Sequence, residues 1–208
     1  MTEFSSTPAL TPAPAPRTAT IERTTGETRI TLRLSLDGCG DVDVITGIGF
    51  LDHLLSALTR HARFDLSLEA DGDLEVDDHH TAEDCAITLG RALREAIGDR
   101  RGIRRFGSAY APLDESLARA VVDLSNRPCA VIDLGLTREA VGALACENIT
   151  HFFRTLAMEA RMALHLDVLR GENDHHRAEA AVKALALALR AAVERDGTDQ
   201  VPSTKGVL

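Results

Sequence analysis

The chain carries one pattern twice, and that repetition limits its fold more than any other feature. His53 stands in FLDHLLSAL and His151 in ITHFFRTLA. Ala62-Arg63 then matches Ala160-Arg161, His79-His80 with Glu83 matches His175-His176 with Glu179, and Leu93-Arg94 matches Leu189-Arg190. A single two-residue gap between Arg63 and His79 keeps every pair in step. Self-similarity on this scale is the mark of a supersecondary unit used more than once. The chain is therefore expected to fold as two similar halves, residues 17–105 and 106–208, forming one compact unit. Residues 1–16 are rich in Thr, Ala, Ser and Pro, cannot bury enough apolar surface to offset their ordering entropy, and are expected to be a disordered tail.

Within each half the hydrophobic period alternates between two and 3.6 residues. Residues 28–36 (TRITLRLSL) and 64–69 (FDLSLE) alternate apolar and polar as half-buried strands do, the second closing on an Asp71-Gly72-Asp73 turn. Residues 49–61 and 78–97 read as helices, the latter with Ala82, Ala86, Leu89, Leu93 and Ile97 on one face and Gly98 as its stop. The second half supplies strands near 118–124, 130–134 and 163–169 and helices near 148–161 and 175–194. Strands and helices mix without strict β-α-β alternation. The fold class predicted is α+β, each half a mostly antiparallel sheet packed on helices.

Composition excludes several functions. With 32 acidic against 23 basic residues the formal charge is −9, which argues against a general nucleic-acid or anionic-membrane binder, since neutralising phosphates requires a clustered basic surface. A small phosphorylated ligand is still compatible, because a few local cations can hold it. No apolar run approaches the ~20 residues needed to span a bilayer. The cysteines, Cys39, Cys85, Cys129 and Cys146, form no C-x-x-C pair. They read as reduced, mostly buried residues of a cytoplasmic protein.

The repeated motif carries the chemistry. Helix residues four apart share a face, so His79 lines up with Glu83 and His175 with Glu179. Adjacent histidines diverge by about 100° around the axis. Each His-His pair is thus better suited to serving two ions than to chelating one. Adding His53 and His151 gives six histidines and two glutamates, three His and one Glu per ion, with coordination positions left for substrate. Imidazole and carboxylate donors without thiolate suit Mn, Fe, Co, Ni or Zn rather than Ca or Mg cages. Asp52, Asp78 and Asp174 each precede a candidate ligand; they are expected either to hydrogen-bond ligand imidazoles or, for Asp78 and Asp174, to cap helices. His61 and His165 fall outside the repeat and read as ordinary polar residues.

From about Arg23 to Leu208 the chain resembles the imidazoleglycerol-phosphate dehydratase family. The resemblance rests on TGIGFLDHLL, DLEVDDHHTAEDCAI, RGIRRFG, PLDESLAR, DLSNRP, THFFRTLA, NDHHRAEA and PSTKGVL. It implies loss of water from imidazole glycerol phosphate to give imidazole acetol phosphate in histidine biosynthesis. It also implies two Mn(II) ions per active site and trimers assembled into an octahedral 24-mer, with metal sites completed by neighbouring subunits. Carried over residue by residue, the metal ligands would be His53, His79, His80, Glu83, His151, His175, His176 and Glu179. The phosphate would be held by Arg104 or Arg105, Arg127, Ser203 and Lys205. The proton-transferring carboxylate would be Glu27 or a metal-bound Glu83 or Glu179. In one place the sequence departs from the family: FLDHLLSALTRHA stands where a Gln and a later His-Gly are common, so any contact made by that Gln is lost or replaced.

The mechanism expected from this set has two ions binding both nitrogens of the substrate's imidazole and drawing it toward imidazolate. Three other readings compete: a carboxylate-bridged di-iron oxidase, a metal-linked assembly protein and a two-metal hydrolase. Six histidines against two carboxylates, in His-His-x-x-Glu order, weigh against the oxidase; a hydrolase would usually carry more Asp ligands, and an assembly protein would dissociate on chelation but show no turnover.

Overall fold

A computed structural model describes residues 16–208, so the expected tail lies outside the described residues apart from Pro16. The first half runs β1 (Thr18–Thr24), β2 (Thr28–Ser35), β3 (Val42–Ile45), α1 (Gly49–Ala62), β4 (Asp65–Gly72) and α2 (His79–Ile97). The second runs β5 (Phe106–Leu113), β6 (Ser116–Asp123), β7 (Cys129–Asp133), a small hairpin β8 (Ala140–Val141) and β9 (Leu144–Ala145), α3 (Cys146–Glu159), β10 (Ala163–Arg170) and α4 (Asp174–Val193). The two four-stranded sheets have equivalent orders, β1-β2-β4-β3 and β5-β6-β10-β7. In each, one edge strand is parallel to its neighbour: β3 beside β4, and β7 beside β10. The other pairings within the two sheets are antiparallel.

Local chemistry accounts for the elements. In β2, Ile30, Leu32 and Leu34 are buried while Arg29, Thr31 and Arg33 face out, because successive side chains leave a pleated strand on opposite faces. Helix α1 ends on Arg63 in the left-handed conformation at φ 58°, and α3 is followed by Arg161 at φ 52°. A strained turn at a non-glycine residue thus recurs at the same point of both halves.

Helix α2 covers β1 and β2, α4 covers β5 and β6, and the helices of one half meet those of the other, α1 on α4 and α2 on α3. The contacts show that α2 and α3 run in one direction: His79 meets Asn148 at the start of the two helices, and Arg91 meets Glu159 near their far ends. The core is aliphatic and alanine-rich, with Ala178, Ala180, Ala181, Ala184, Ala186 and Ala188 all buried on α4. Small side chains let helix and sheet approach closely; at Gly107 on β5, a β-carbon would fall 1.9 Å from the Ala188 carbonyl oxygen. Among the described residues, no helix is long and apolar enough to cross a membrane.

All four cysteines are free. Cys85 and Cys146 are buried as expected, but Cys39 and Cys129 are exposed. Cys129 opens an edge strand and Cys39 sits in the β2–β3 turn, where the chain passes over the surface.

Candidate metal centre

Two clusters of metal-type donors form where the halves meet. His53 of α1 joins His175 and Glu179 of α4; His79 and Glu83 of α2 join His151 of α3. Each cluster therefore takes its lone histidine from one half and its His-x-x-x-Glu pair from the other. In the first, Glu179 Oε2 lies 2.9 Å from His53 Nε2 and 3.3 Å from His175 Nε2. In the second, Glu83 Oε1 lies 2.8 Å from His151 Nε2. Neighbouring donors at right angles around an ion with bonds of about 2.1 Å sit about 3.0 Å apart. These spacings and the donor chemistry therefore fit a transition dication. The ligand histidines His53, His175 and His151 are about two-fifths exposed, at 45%, 42% and 37%, although Glu179 is largely covered. The clusters thus open outward instead of being sealed in the core.

The surroundings of the two clusters differ. His79 Nδ1 is 2.9 Å from Oδ1 of buried Asn148, a contact that fixes which ring nitrogen faces Glu83. At the equivalent point of the other pair stands Phe50, whose ring packs 4.9 Å from that of His175. Lys183 holds Glu179 Oε1 at 2.8 Å. Burial pulls the Glu179 carboxyl up, but Lys183 and His53 outweigh it and bring the group down to about 2.

His80 and His176 belong to neither cluster. Each ring stands edge-on to its neighbour, 6.0 Å away in both motifs, as helical divergence requires. His80 Nδ1 meets Asp73 at 3.0 Å, and its Nε2 lies 3.6 Å from Glu27. His176 Nδ1 meets Glu115 at 2.8 Å, and its Nε2 lies 3.8 Å from Asp114. The Asp73 hydrogen bond raises the His80 pKa, and the Glu115 bond does the same for His176. Glu27 is thus beside His80 but outside both clusters.

Of the aspartates preceding the histidines, only Asp78 stands at a helix N-cap, and none of the three caps a helix with its side chain or is hydrogen-bonded to a ligand imidazole. Asp52 Oδ1 accepts from the Thr46 amide and hydroxyl. Asp78 stands at the N-cap of α2 without a capping bond and instead accepts the Ala145 amide at 2.7 Å. Asp174 lies inside the first turn of α4, where Asn173 is the cap, and takes the Thr137 and Arg138 amides. All three fasten loops, because each side chain faces a neighbouring segment with unpaired backbone N–H groups.

Arg105, Arg127, Ser203 and Lys205 line one depression beside the C-terminal segment. Arg104 is not among its lining and pairs with Glu194 on the surface. Arg105 is already committed to Asp123 and to the Pro202 carbonyl. Among the described residues Arg127 and Lys205 have no acidic partner, so they are the cations left for an anion. Sequence reasoning missed Asn148, Asp73, Glu115 and Lys183, whose partners come from distant segments. Aligning Phe50 with Asn148 across the repeat was the one signal available.

Fold and site together define a duplicated α+β protein whose halves jointly build two imidazole–carboxylate clusters of transition-metal type. Residues 46–189 match the family model for imidazoleglycerol-phosphate dehydratase. A Kluyveromyces lactis imidazoleglycerol-phosphate dehydratase is 52% identical over 215 residues, covering 92% of this chain and 97% of that protein. A Phytophthora nicotianae relative of the same name is 61% identical over 92% of this chain, which spans 42% of that longer protein. The Staphylococcus aureus enzyme structure superposes with a TM-score of 0.78 at 38% identity, covering 86% of this chain and 99% of that one. A Pyrococcus furiosus enzyme structure gives the same score and identity over 90% of this chain. The chain belongs to the imidazoleglycerol-phosphate dehydratase family, the dehydratases of histidine biosynthesis.

Proposed function

We propose that the chain converts imidazole glycerol phosphate to imidazole acetol phosphate and water, using two divalent ions, Mn(II) first among them. The observation that carries this reading is the pair of mixed clusters, His53–His175–Glu179 and His79–Glu83–His151. Bound there, the ions supply Lewis-acid stabilisation of the charge that builds on the substrate's imidazole, drawing it toward imidazolate.

The chain's own groups do the rest. Hydroxide leaves the carbon attached to the ring and departs as water on taking up a proton, a proton leaves the next carbon, and the enol left behind becomes the ketone. We assign the proton transfer to Glu27, whose half-exposed carboxylate stands beside His80. Glu179 has both oxygens engaged, by Lys183 and by His53 with His175, and Glu83 is engaged by His151. Both suit ligation better than proton transfer. Arg127 and Lys205, with Ser203, offer charge and hydroxyl to the phosphate.

His80 and His176 turn away from the clusters of their own chain. We assign them as the third imidazoles of ions on neighbouring copies, which makes the working form a homo-oligomer, a 24-mer of trimers. The four free thiols suit a reducing compartment such as the cytoplasm. The test is turnover of imidazole glycerol phosphate by protein loaded with Mn(II), alongside metal content of His79→Ala and His175→Ala. Each variant should lose an ion and nearly all activity, and chelation should shrink the particle by light scattering. Full turnover in metal-free protein would refute the reading.

A further inference from the structure

The two halves solve the placement of their outward histidine differently, and the difference traces to the two-residue gap in the repeat. Strands β4 and β10 end at equivalent points, Gly72 and Arg170. The first half then takes residues 73–78 to reach α2, whereas the second takes only 171–173 to reach α4. Asp73, the first residue of the longer loop, supplies the carboxylate for His80 Nδ1. Gly171, with no side chain, occupies its place in the shorter loop. The missing acceptor comes from elsewhere: Glu115, in the β5–β6 turn, puts Oε2 2.8 Å from His176 Nδ1.

Glu115 is held for this. Its Oε1 accepts the Glu172 amide at 3.1 Å, the Asn173 amide at 3.0 Å and the Ser116 hydroxyl at 3.2 Å. One oxygen is therefore fixed to the loop and the other to the imidazole. An ionised carboxylate can only accept, so the ring must place its proton on Nδ1. The lone pair of a neutral imidazole then lies on Nε2, the nitrogen pointing past Asp114 toward solvent. A histidine prepared in this way matches what metal ligation requires, since the hydrogen bond at one ring nitrogen sets the tautomer at the other.

We propose that Glu115 is a positioning residue for the metal site, locking His176 in the tautomer whose Nε2 is free to bind an ion. The inference rests on the assignment of His176 as a ligand given above. Glu115→Gln separates this role from simple loop anchoring. The amide oxygen keeps Oε1's place, because turning the side chain over would oppose NH2 to two backbone N–H donors. The NH2 group then faces His176 Nδ1 and requires the ring to accept there, which moves the proton to Nε2.

The test starts from metal-stripped protein and follows Mn(II) binding on reassembly by electron paramagnetic resonance, in wild type, E115Q, H176Q and the double variant. The expected result is a loss of Mn(II) affinity of about 10–100-fold in E115Q, with the metal-free thermal midpoint near that of the wild type. E115Q should add nothing in the H176Q background. If H176Q weakens binding but E115Q binds as wild type, or if the two losses add in full, Glu115 only anchors the loop and the proposal is overturned. If H176Q itself leaves binding untouched, the ligand assignment falls and takes the proposal with it. NMR of isotope-labelled histidine in the metal-free wild type gives an independent reading: a proton found on His176 Nε2 would refute the lock without any variant.

Discussion

Replacing Gly90 by alanine adds one methyl group at a close approach between α2 and α3, the helices that carry His79, Glu83 and His151. A β-carbon at 90 would lie 2.6 Å from Glu159 Cβ and 3.0 Å from both the Ala160 nitrogen and the Leu156 carbonyl oxygen. None of these is the free end of a flexible side chain. Ordinary carbon contacts fall near 3.5–4.0 Å, so the helices must part by about 1 Å. Overpacking of this kind costs about 1–3 kcal/mol, offset by about 1 kcal/mol from better helix propensity. The net loss of about 1 kcal/mol lowers the thermal midpoint of a chain this size by about 2–4 °C.

The effect on the site should exceed the effect on stability. Glu83 and His151 are 2.8 Å apart across the same helix pair, and about 1 Å of misplacement in a functional geometry can reduce performance a hundredfold. Calorimetry on metal-free protein and Mn(II) titration should show a small drop in midpoint beside at least a tenfold weakening at one of two sites. A raised midpoint with unchanged Mn(II) binding would show that the contact at Gly90 does not set the spacing of the cluster.

Asn148→Ala should weaken Mn(II) binding at a single site by about tenfold, because only His79 relies on that amide to orient its ring; metal titration reads it directly. Asp174→Ala should destabilise the protein at neutral pH by about 2 kcal/mol, measured by denaturant unfolding, since it removes a buried charged acceptor from the Thr137 and Arg138 amides. Burial pushes Asp174 up, but those amides outweigh it and hold its pKa below the usual 3.8. Its stabilisation is therefore present above that value and vanishes as pH falls through the lower folded one, so variant and wild type should converge in strong acid. Lys205→Ala should raise the substrate KM strongly while metal content stays intact, and steady-state kinetics with an unchanged KM would remove Lys205 from the phosphate site.

Elements with a buried face on a central strand or long helix were legible in the sequence. TRITLRLSL gave β2, and the apolar stripe from Ala82 to Ile97 gave α2, each to within a residue or so of its observed bounds. Apart from the two-residue strands β8 and β9, the strands that escaped notice, β1, β3 and β5, all lie at sheet edges. There the pattern fades: β1 is Thr-rich, β3 has four residues, and β5 contains Gly107 and Pro112. An edge tolerates proline, and the glycine is required by the approach of α4. The donor residues were legible because the repeat singled them out. Their partners were not, because Asn148, Asp73 and Glu115 reach their histidines only through the pairing of helices and the lengths of loops.

That pairing has a consequence for how the duplicated chain works. If each half had folded its own His-His-x-x-Glu motif around its own lone histidine, either half could hold an ion by itself, and a fault in one would spare the other. Instead α1 lies along α4 and α2 along α3, so His53 completes the second half's pair and His151 the first's. Both clusters then depend on one set of helix contacts, and neither half holds a complete cluster alone. The same arrangement lets the two clusters diverge while the backbone stays symmetric. Asn148 grips the ring of His79, whereas Phe50 only packs against that of His175, and Lys183 neutralises Glu179 at the first cluster. Under the proposed function, a substrate with two chemically different ring nitrogens would meet two chemically different ion positions. Duplication supplies the pair of positions, and single substitutions on shared faces make them unequal.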